Sequence, residues 1–224
     1  MDEIIYKNRK VCLNKEWVTK EVWEQSIDKY GLPDFCFEEI NKPLSNKISY
    51  ADVLVYIANT CDIKEYLEIG VSVLKTFYQM ACNTKCNLIA YDVNPINPCI
   101  KIPREYKYIQ GDVLIKDDWD KLKVLGIKHD LIFSDALHSN EGLQAEFNFY
   151  IKDNLADKWI IIWDDAYDNP VNYINKNIIP VLEQKYGKVY TILRSFQEWT
   201  RNKYHPIYIV SNYNLNIEHI YNDY

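Results

Sequence analysis

The chain has 224 residues, 48% of them hydrophobic and 26% charged, and a formal net charge of −6 at pH 7. This length and composition are those of a globular protein with one large domain and a substantial core. The acidic balance, without a basic cluster, argues against a nucleic-acid partner, and no apolar run reaches the roughly 18 residues that would indicate a membrane span.

The first 45 residues are predicted to be an extension of the main domain. Within it, Thr19 is a suitable N-cap for a short helix. The extension would serve either as a lid over the binding site or as a dimer contact. The spacing of Ser49 and Asp52 is that of a capping box, which predicts the first helix of the domain over 49–59.

Strands and helices then alternate along the chain, and a hairpin follows the last helix. The predicted strands are 64–69, 87–92, 106–110, 129–134, 158–163, 188–196 and 205–211. The predicted helices between them are 72–83, 114–125, 140–152 and 170–186, the last kinked at Pro180. The sequence therefore predicts an α/β, doubly wound sheet of seven strands, mostly parallel with one antiparallel strand. This domain would span 46–212, with a polar tail at 213–224.

Five apolar runs in the chain stop on an acidic residue. These acids are Glu68, Asp92, Asp112, Asp135 and Asp164, the last followed directly by Asp165. Parallel strands place their carboxyl ends at one edge of the sheet, where open α/β sheets bind ligands, so these carboxylates should meet there. We interpret the row as a site for a nucleoside and a metal ion.

The first three acids form the expected nucleoside half of the site. Gly70 follows Glu68 and lets the backbone approach a ligand or take a positive φ. Asp92 lies 22 positions after Gly70, the spacing at which a carboxylate reaches a ribose hydroxyl pair. Asp112 is placed to accept the exocyclic amine of an adenine, with capping of the next helix as the alternative.

The remaining acids, Asp135, Asp164 and Asp165, form the expected metal half. They end two strands that should be neighbours about 4.8 Å apart. Three converging carboxylates repel one another unless a cation lies among them or protons are retained. A hard ion such as Mg²⁺ suits such a cluster. Helix capping by Asp164 or Asp165, and a lysine partner for Asp135, are the structural alternatives.

Residues 50–211 resemble the Rossmann-like (class I) S-adenosylmethionine-dependent methyltransferases, whose strand order is 3-2-1-4-5-7-6. The resemblance implies a set of residues that bind S-adenosylmethionine: Glu68, Gly70, Ser72, Asp92, Asp112 and Asp135. Glu68 and Gly70 would lie beside the methionine part of the cofactor, Asp92 would bind the ribose, and Asp112 the adenine. The sequence departs from the family loop at Leu74, which stands near an expected glycine and would crowd the cofactor.

The run from Ser134 to Gly142 resembles the Asp-x-x-His motif of the metal-dependent sugar O-methyltransferases, the macrolide type among them. By that likeness Asp135, Asp164 and Asp165 would be the metal ligands and His138, beside Asp135, the general base. Mg²⁺ would lower the pKa of a substrate hydroxyl, and the imidazole would take its proton. The other histidines, His129, His205 and His219, are expected to be structural.

The leading interpretation is a cation-assisted O-methyltransferase that acts on a hydroxyl of a sugar or another small molecule. A catechol-type enzyme with a phenolic acceptor is the nearest alternative. Leu74 in a glycine-poor loop favours a different class, a methyltransferase-fold protein that binds or scaffolds without catalysis. An NAD-dependent oxidoreductase fits less well, because of the same loop and the final antiparallel hairpin.

The cysteines indicate the compartment. None of the six shows a paired metal-binding spacing, and Cys82 and Cys86 are expected to be ordinary thiols. A reducing, cytoplasmic location without membrane contact follows, since the N-terminus also lacks a signal-peptide pattern. The expected partners are a small-molecule acceptor, by the likeness a saccharide, and a second copy of the chain.

Overall fold

The described residues form one seven-stranded sheet. The computed structural model describes residues 49–72, 74–96, 102–197, 204–215 and 217. The strands are β1 Glu65–Ile69, β2 Asn87–Asp92, β3 Lys107–Gln110, β4 His129–Ser134, β5 Leu155–Trp163, β6 Tyr190–Gln197 and β7 Tyr204–Ser211. Their order is β3-β2-β1-β4-β5-β7-β6. The pairs among β1 to β5 are parallel, and β7 is antiparallel to both β5 and β6. The predicted strand order and single antiparallel strand are confirmed.

Helices cover both faces of this sheet. The described α-helices are α1 Tyr50–Thr60, α2 Lys75–Asn83, α3 Asp120–Lys123, α4 Asn140–Phe149, α5 Asp168–Tyr173 and α6 Ile179–Tyr186. Successive side chains of a strand point to opposite faces. Tyr66 therefore joins the core that holds Leu54 and Phe77 of α1 and α2. Leu67 joins a second core, with Trp119 and Leu143, on the other face.

The start of α1 follows the predicted capping box. Ser49 N donates to Asp52 Oδ2 at 2.8 Å, and Asp52 N donates to Ser49 Oγ at 3.4 Å. These reciprocal bonds satisfy two donors that the first turn of a helix leaves open. The ring of Tyr50 then stacks on Phe133 of β4 with centroids 5.8 Å apart, which fixes α1 against the sheet.

Three predicted helices are shorter or less regular than the sequence indicates. The helix predicted over 114–125 is a 3₁₀ turn at Lys116–Trp119 followed by the short α3. The helix predicted over 140–152 ends at Phe149 before another 3₁₀ turn. The helix predicted over 170–186 contains a π-helical segment at Ile174–Ile178. This segment lies just before Pro180, whose nitrogen cannot donate a backbone hydrogen bond.

Some sequence predictions fall on other parts of the chain. The extension at 1–45 and most of the tail at 213–224 lie outside the described residues, so both stay predictions. Within the described ranges, no helix is long and apolar enough to cross a membrane.

Candidate functional site

Four strand ends surround a cavity at the carboxyl edge of the sheet. Its volume is about 410 Å³, within the range of small-molecule sites. The lining comes from the segments that follow β1, β2, β3 and β4: Gly70, Ser72, Tyr91, Asp92, Val93, Asn94, Asp112, Val113, Leu114, Asp135, Ala136 and Leu137. Of the residues predicted to bind the cofactor, all but Glu68 lie in this lining. Five predicted residues therefore line one cavity, and their contact with a cofactor stays a prediction.

Asp92, the last residue of β2, holds the β1–α2 loop in place. Its Oδ2 accepts hydrogen bonds from the backbone N–H groups of Val71 at 2.7 Å and Ser72 at 2.9 Å. Its Oδ1 accepts from Asn94 N at 2.8 Å. A carboxylate has about four acceptor positions, so about one remains, on Oδ1, for a ligand hydroxyl. Asp92 thus shapes the loop, and the ribose contact that the sequence predicted stays a prediction.

The β1–α2 loop turns through several residues with positive φ. These are Gly70 (φ 82°), Ser72 (φ 42°) and Leu74 (φ 61°). Leu74 is 1% exposed and packs in the core beside α1 and α2, and it does not line the cavity. The prediction that Leu74 crowds the cofactor is therefore wrong. Its left-handed backbone also explains why the helix predicted from 72 begins only at Lys75.

Gly70 lies where the loops after β1, β2 and β4 meet. Its N–H donates to Tyr91 O at 2.8 Å, and Asp135 N donates to Ile69 O, also at 2.8 Å. A Cβ atom at Gly70 would lie 2.4 Å from Asp135 O and 2.6 Å from Ala136 Cα. Only glycine permits this approach, because both neighbours are backbone atoms.

Tyr91 contributes a wall of the cavity that the sequence analysis did not identify. Its ring stacks on Trp119 with centroids 4.4 Å apart, and its hydroxyl donates to Asp112 O at 3.1 Å. A Cβ atom at Gly111 would lie 2.4 Å from Tyr91 Oη, so the glycine makes room for this ring. Asp112 Oδ1 accepts from Leu114 N at 2.9 Å. Asp112 therefore orders its own turn and also faces the cavity, but it does not cap the next helical segment, whose N-cap is Ile115.

Glu68 lies below the cavity. It is buried, and its Oε2 accepts a hydrogen bond from Tyr66 Oη at 2.6 Å. Burial, together with the nearby carboxylates of Asp135 and Asp92, raises the pKa of Glu68 well above its usual range, although the Tyr66 bond opposes this. The side chain braces the end of β1, and its contact with a cofactor stays a prediction.

A second group of titratable side chains lies beside the cavity, where β4 and β5 end. Potential ligand atoms of Asp164, Asp165 and His205 lie within 4.8 Å of one another. His138 Nε2 is 3.5 Å from Asp135 Oδ1 and 3.9 Å from Asp165 Oδ2, which links Asp135 to this group. The structure thus brings together the predicted residues Asp135, His138, Asp164 and Asp165, and it adds His205.

The electrostatics of this cluster suit a bound cation. Burial, followed by the charges of Asp135 and Asp165, raises the pKa of Asp164 well above its usual range. Asp164 is 6% exposed, and its Oδ1 has no hydrogen-bond partner among the described residues. Such an atom is costly to bury. A divalent ion would both satisfy it and offset the repulsion between carboxylates.

The pKa of His138 is shifted by the same carboxylate charges. Burial alone would lower its pKa, but the hydrogen bond and charge of Asp135, with Asp165 and Asp164, outweigh burial and raise the pKa to about 9. In the metal-free protein the ring is therefore protonated at neutral pH. The carboxylates that retain this proton are the ones that a divalent cation would neutralise.

His205, which was expected to be structural, lies in this cluster. Its Nδ1 lies 2.6 Å from Asp165 Oδ1. The contact forms because β7 pairs with β5 and Ala166 N donates to Pro206 O at 2.9 Å. His205 is 40 residues from Asp165 along the chain, and no local motif marks it.

Glu146 of α4 is a buried acid near this cluster, and its titration makes the stability of the protein depend on pH. Its Oε2 accepts from Ser134 Oγ at 2.6 Å, and burial raises its pKa from 4.5 to about 7. An acid with a raised folded-state pKa contributes stability below pH 4.5 that is lost as the pH rises to about 7. Glu146→Gln should therefore raise the free energy of unfolding at pH 8 by about 2 to 3 kcal/mol and leave it nearly unchanged at pH 4.

Urea unfolding of the metal-free protein at both pH values measures this effect. Glu141→Gln is the matched control, because Glu141 lies on the same helix and is exposed. Equal effects of Glu146→Gln at pH 4 and pH 8 would show that the buried carboxyl does not titrate in this range.

Comparisons with known proteins identify the fold. No family model and no curated protein matches the chain, whereas 308 chains of solved structures do. An O-methyltransferase from Bacillus cereus in complex with SAH (S-adenosylhomocysteine) is 16% identical, with a TM-score of 0.55 over 93% of this chain and 96% of that chain. The O-methyltransferase TomG from Streptomyces achromogenes, in complex with SAM (S-adenosylmethionine), is 14% identical, with a TM-score of 0.53 over 94% and 89%.

A third structure contains a metal ion. The MycE methyltransferase of the mycinamycin biosynthetic pathway, in complex with Mg and SAH, is 11% identical, with a TM-score of 0.50 over 73% of this chain and 49% of that chain. At these identities the comparisons establish the fold. The chain has the Rossmann-like fold of the class I S-adenosylmethionine-dependent methyltransferases, as the sequence resemblance implied.

Proposed function

We propose that the protein is an S-adenosylmethionine-dependent O-methyltransferase assisted by a divalent cation. The observation that carries this proposal is that Asp135 belongs both to the cavity and to the carboxylate cluster beside it. A cofactor in the cavity and a cation in the cluster would therefore be neighbours. The neighbouring structures from Bacillus cereus and Streptomyces achromogenes, O-methyltransferases with SAH and SAM, support the proposal.

The cavity offers polar groups for each part of the cofactor. Asp92 Oδ1 keeps about one acceptor position for a ribose hydroxyl. Asp112 faces the cavity from the end of β3 and would accept the adenine amine, while Val113 and Leu114 line the apolar wall beside it. Gly70 lines the cavity at the end of β1, where the methionine part would lie, and its lack of a side chain lets the Asp135 backbone close that side of the cavity.

The cluster beside the cavity would hold the cation. Asp164 provides a buried oxygen that lacks a partner among the described residues, and Asp135 and Asp165 provide further carboxylates. When bound, a divalent ion supplies Lewis-acid activation of the acceptor hydroxyl. The MycE structure, which contains Mg and SAH, supports this part of the proposal.

His138 is the residue we assign as general base. It lies 3.5 Å from Asp135 Oδ1, between the cavity and the cluster. A cation bound by Asp135, Asp164 and Asp165 would offset the charges that keep this ring protonated, and the neutral ring would then take a proton from a hydroxyl at the edge of the cavity. The rate of methyl transfer would then depend mainly on alignment of that oxygen with the sulfonium methyl group.

The acceptor is proposed to be a hydroxylated small molecule, and the likeness at residues 134–142 favours a sugar over a phenol. The non-catalytic alternative loses its supporting observation, because Leu74 is buried in the core and does not obstruct the cavity. A cytoplasmic location and a second copy as partner stay predictions.

Calorimetry with S-adenosylhomocysteine and Mg²⁺ tests the proposal. We expect saturable binding of S-adenosylhomocysteine, and a gain in stability of about 2.7 kcal/mol when its concentration is 100 times the dissociation constant. The double variant Asp164→Asn and Asp165→Asn should keep this binding and lose the response of the melting temperature to Mg²⁺. Absence of S-adenosylhomocysteine binding would overturn the enzymatic proposal. An unchanged Mg²⁺ response in the double variant would overturn the metal site.

A further inference from the structure

The carboxylate cluster also contains a histidine, His205, whose ring nitrogen could coordinate a metal ion. It comes from a different strand than the carboxylates. His205 lies at the start of β7, next to the turn that follows β5, and its side chain is 11% exposed. Its Nδ1 is 2.6 Å from Asp165 Oδ1. Asp165 itself has a φ of 47°, a left-handed conformation that is rare outside glycine and occurs often at functional sites.

The distances in this group fit coordination of one ion. Ligand atoms about 2.1 Å from an ion, in adjacent positions of an octahedron, are about 3 Å apart. Atoms of Asp164, Asp165 and His205 meet this requirement with small adjustments, since all lie within 4.8 Å of one another. The buried Oδ1 of Asp164, without a hydrogen-bond partner among the described residues, is an independent sign that the group binds a ligand.

We propose that His205 is a metal ligand and that the site prefers a first-row transition ion such as Mn²⁺ to Mg²⁺. Imidazole suits transition ions, whereas Mg²⁺ selects oxygen ligands. Coordination needs a neutral ring with its proton on Nε2, so the contact with Asp165 would be replaced by a bond from each residue to the ion. This inference rests on the proposed function in one respect, the binding of a cation by the carboxylate cluster.

Two other arrangements make different predictions. In the first, His205 only orients Asp165 through a hydrogen bond, and the ion has oxygen ligands alone. In the second, His138 supplies the nitrogen, since its Nε2 is 3.9 Å from Asp165 Oδ2. Nitrogen coordination in the wild-type protein separates the first arrangement from our proposal, and variants of the two histidines separate the second.

Pulsed electron paramagnetic resonance of the full chain loaded with Mn²⁺ tests the proposal without an acceptor substrate. A directly bound imidazole nitrogen produces a ¹⁴N modulation of the Mn²⁺ echo. We expect this modulation in the wild type and in His138→Gln, and its loss in His205→Asn. Asparagine keeps a side-chain donor for Asp165 near the Nδ1 position and removes the ring nitrogen, so it distinguishes ligation from orientation.

Calorimetry with Mn²⁺ and Mg²⁺ gives the second readout. We expect the wild type to bind Mn²⁺ at least about tenfold more tightly than Mg²⁺, and His205→Asn to lose most of that preference. Mn²⁺ binding without ¹⁴N modulation, or modulation that survives in His205→Asn, would overturn the proposal and leave the oxygen-ligand site intact. Absence of binding by either ion would overturn the cation site as a whole, while S-adenosylhomocysteine binding would still test the cofactor cavity.

Discussion

Replacing Asp92 with alanine is expected to lower the affinity for S-adenosylhomocysteine by about 100-fold, because a ribose contact with a charged acceptor is lost and the loop beside it is released. Three backbone N–H groups, those of Val71, Ser72 and Asn94, would lose their acceptor. The free energy of unfolding should therefore fall by about 2 to 4 kcal/mol. Isothermal calorimetry and urea unfolding measure the two effects separately.

Asp130 offers a matched control for this variant. Its carboxylate also accepts two backbone hydrogen bonds, from Lys64 N at 2.8 Å and Glu65 N at 2.7 Å. These bonds lie at the start of β1 and β4, at the opposite edge of the sheet from the cavity. Asp130→Ala should therefore destabilise the protein and leave ligand affinity unchanged. Equal losses of affinity in the two variants would mean that Asp92 acts on binding only through general stability.

Replacing Gly70 with alanine is expected to separate the loops after β1 and β4. The added Cβ would lie 2.4 Å from Asp135 O, a backbone atom that cannot move without its strand. Positive φ costs alanine about 1 to 2 kcal/mol, and overpacking adds about 1 to 3 kcal/mol. We therefore expect a loss of about 2 to 5 kcal/mol in the free energy of unfolding. Affinity for S-adenosylhomocysteine should also fall at least about tenfold, since Asp135 and Ala136 line the cavity.

Gly126→Ala controls for the backbone conformation. Gly126 has a φ of +64°, and a Cβ there would meet no atom within 4 Å. This variant should cost only about 1 kcal/mol and leave ligand binding unchanged. If Gly70→Ala and Gly126→Ala cost the same, the close approach between the loops would not be the cause.

Much of this fold was predictable because its signals are local. The capping box at Ser49 and the apolar runs that end in acids each depend on a few consecutive residues. Parallel pairing then brings the ends of the runs to one edge. That reasoning predicted that Asp92, Asp112 and Asp135 meet at one edge, and all three line the cavity.

Two residues show what the local sequence did not reveal about side-chain positions. Leu74 was expected to face the cofactor because of its position in the motif, but positive φ values at Ser72 and Leu74 turn it into the core. Tyr91 was overlooked because an aromatic residue in a strand ordinarily packs inside. The ring is buried against Trp119, and Gly111 makes room for it beside the cavity.

The sequence by itself determined the order of elements, the strand ends and the carboxylates that they carry, because hydrophobic periodicity and turn residues act over short distances. Only the tertiary structure decided which of these groups touch. His205 reaches Asp165 because β7 pairs antiparallel with β5, a contact between segments 40 residues apart. The physical reason is that long-range pairing depends on the whole sheet, and no short segment encodes it.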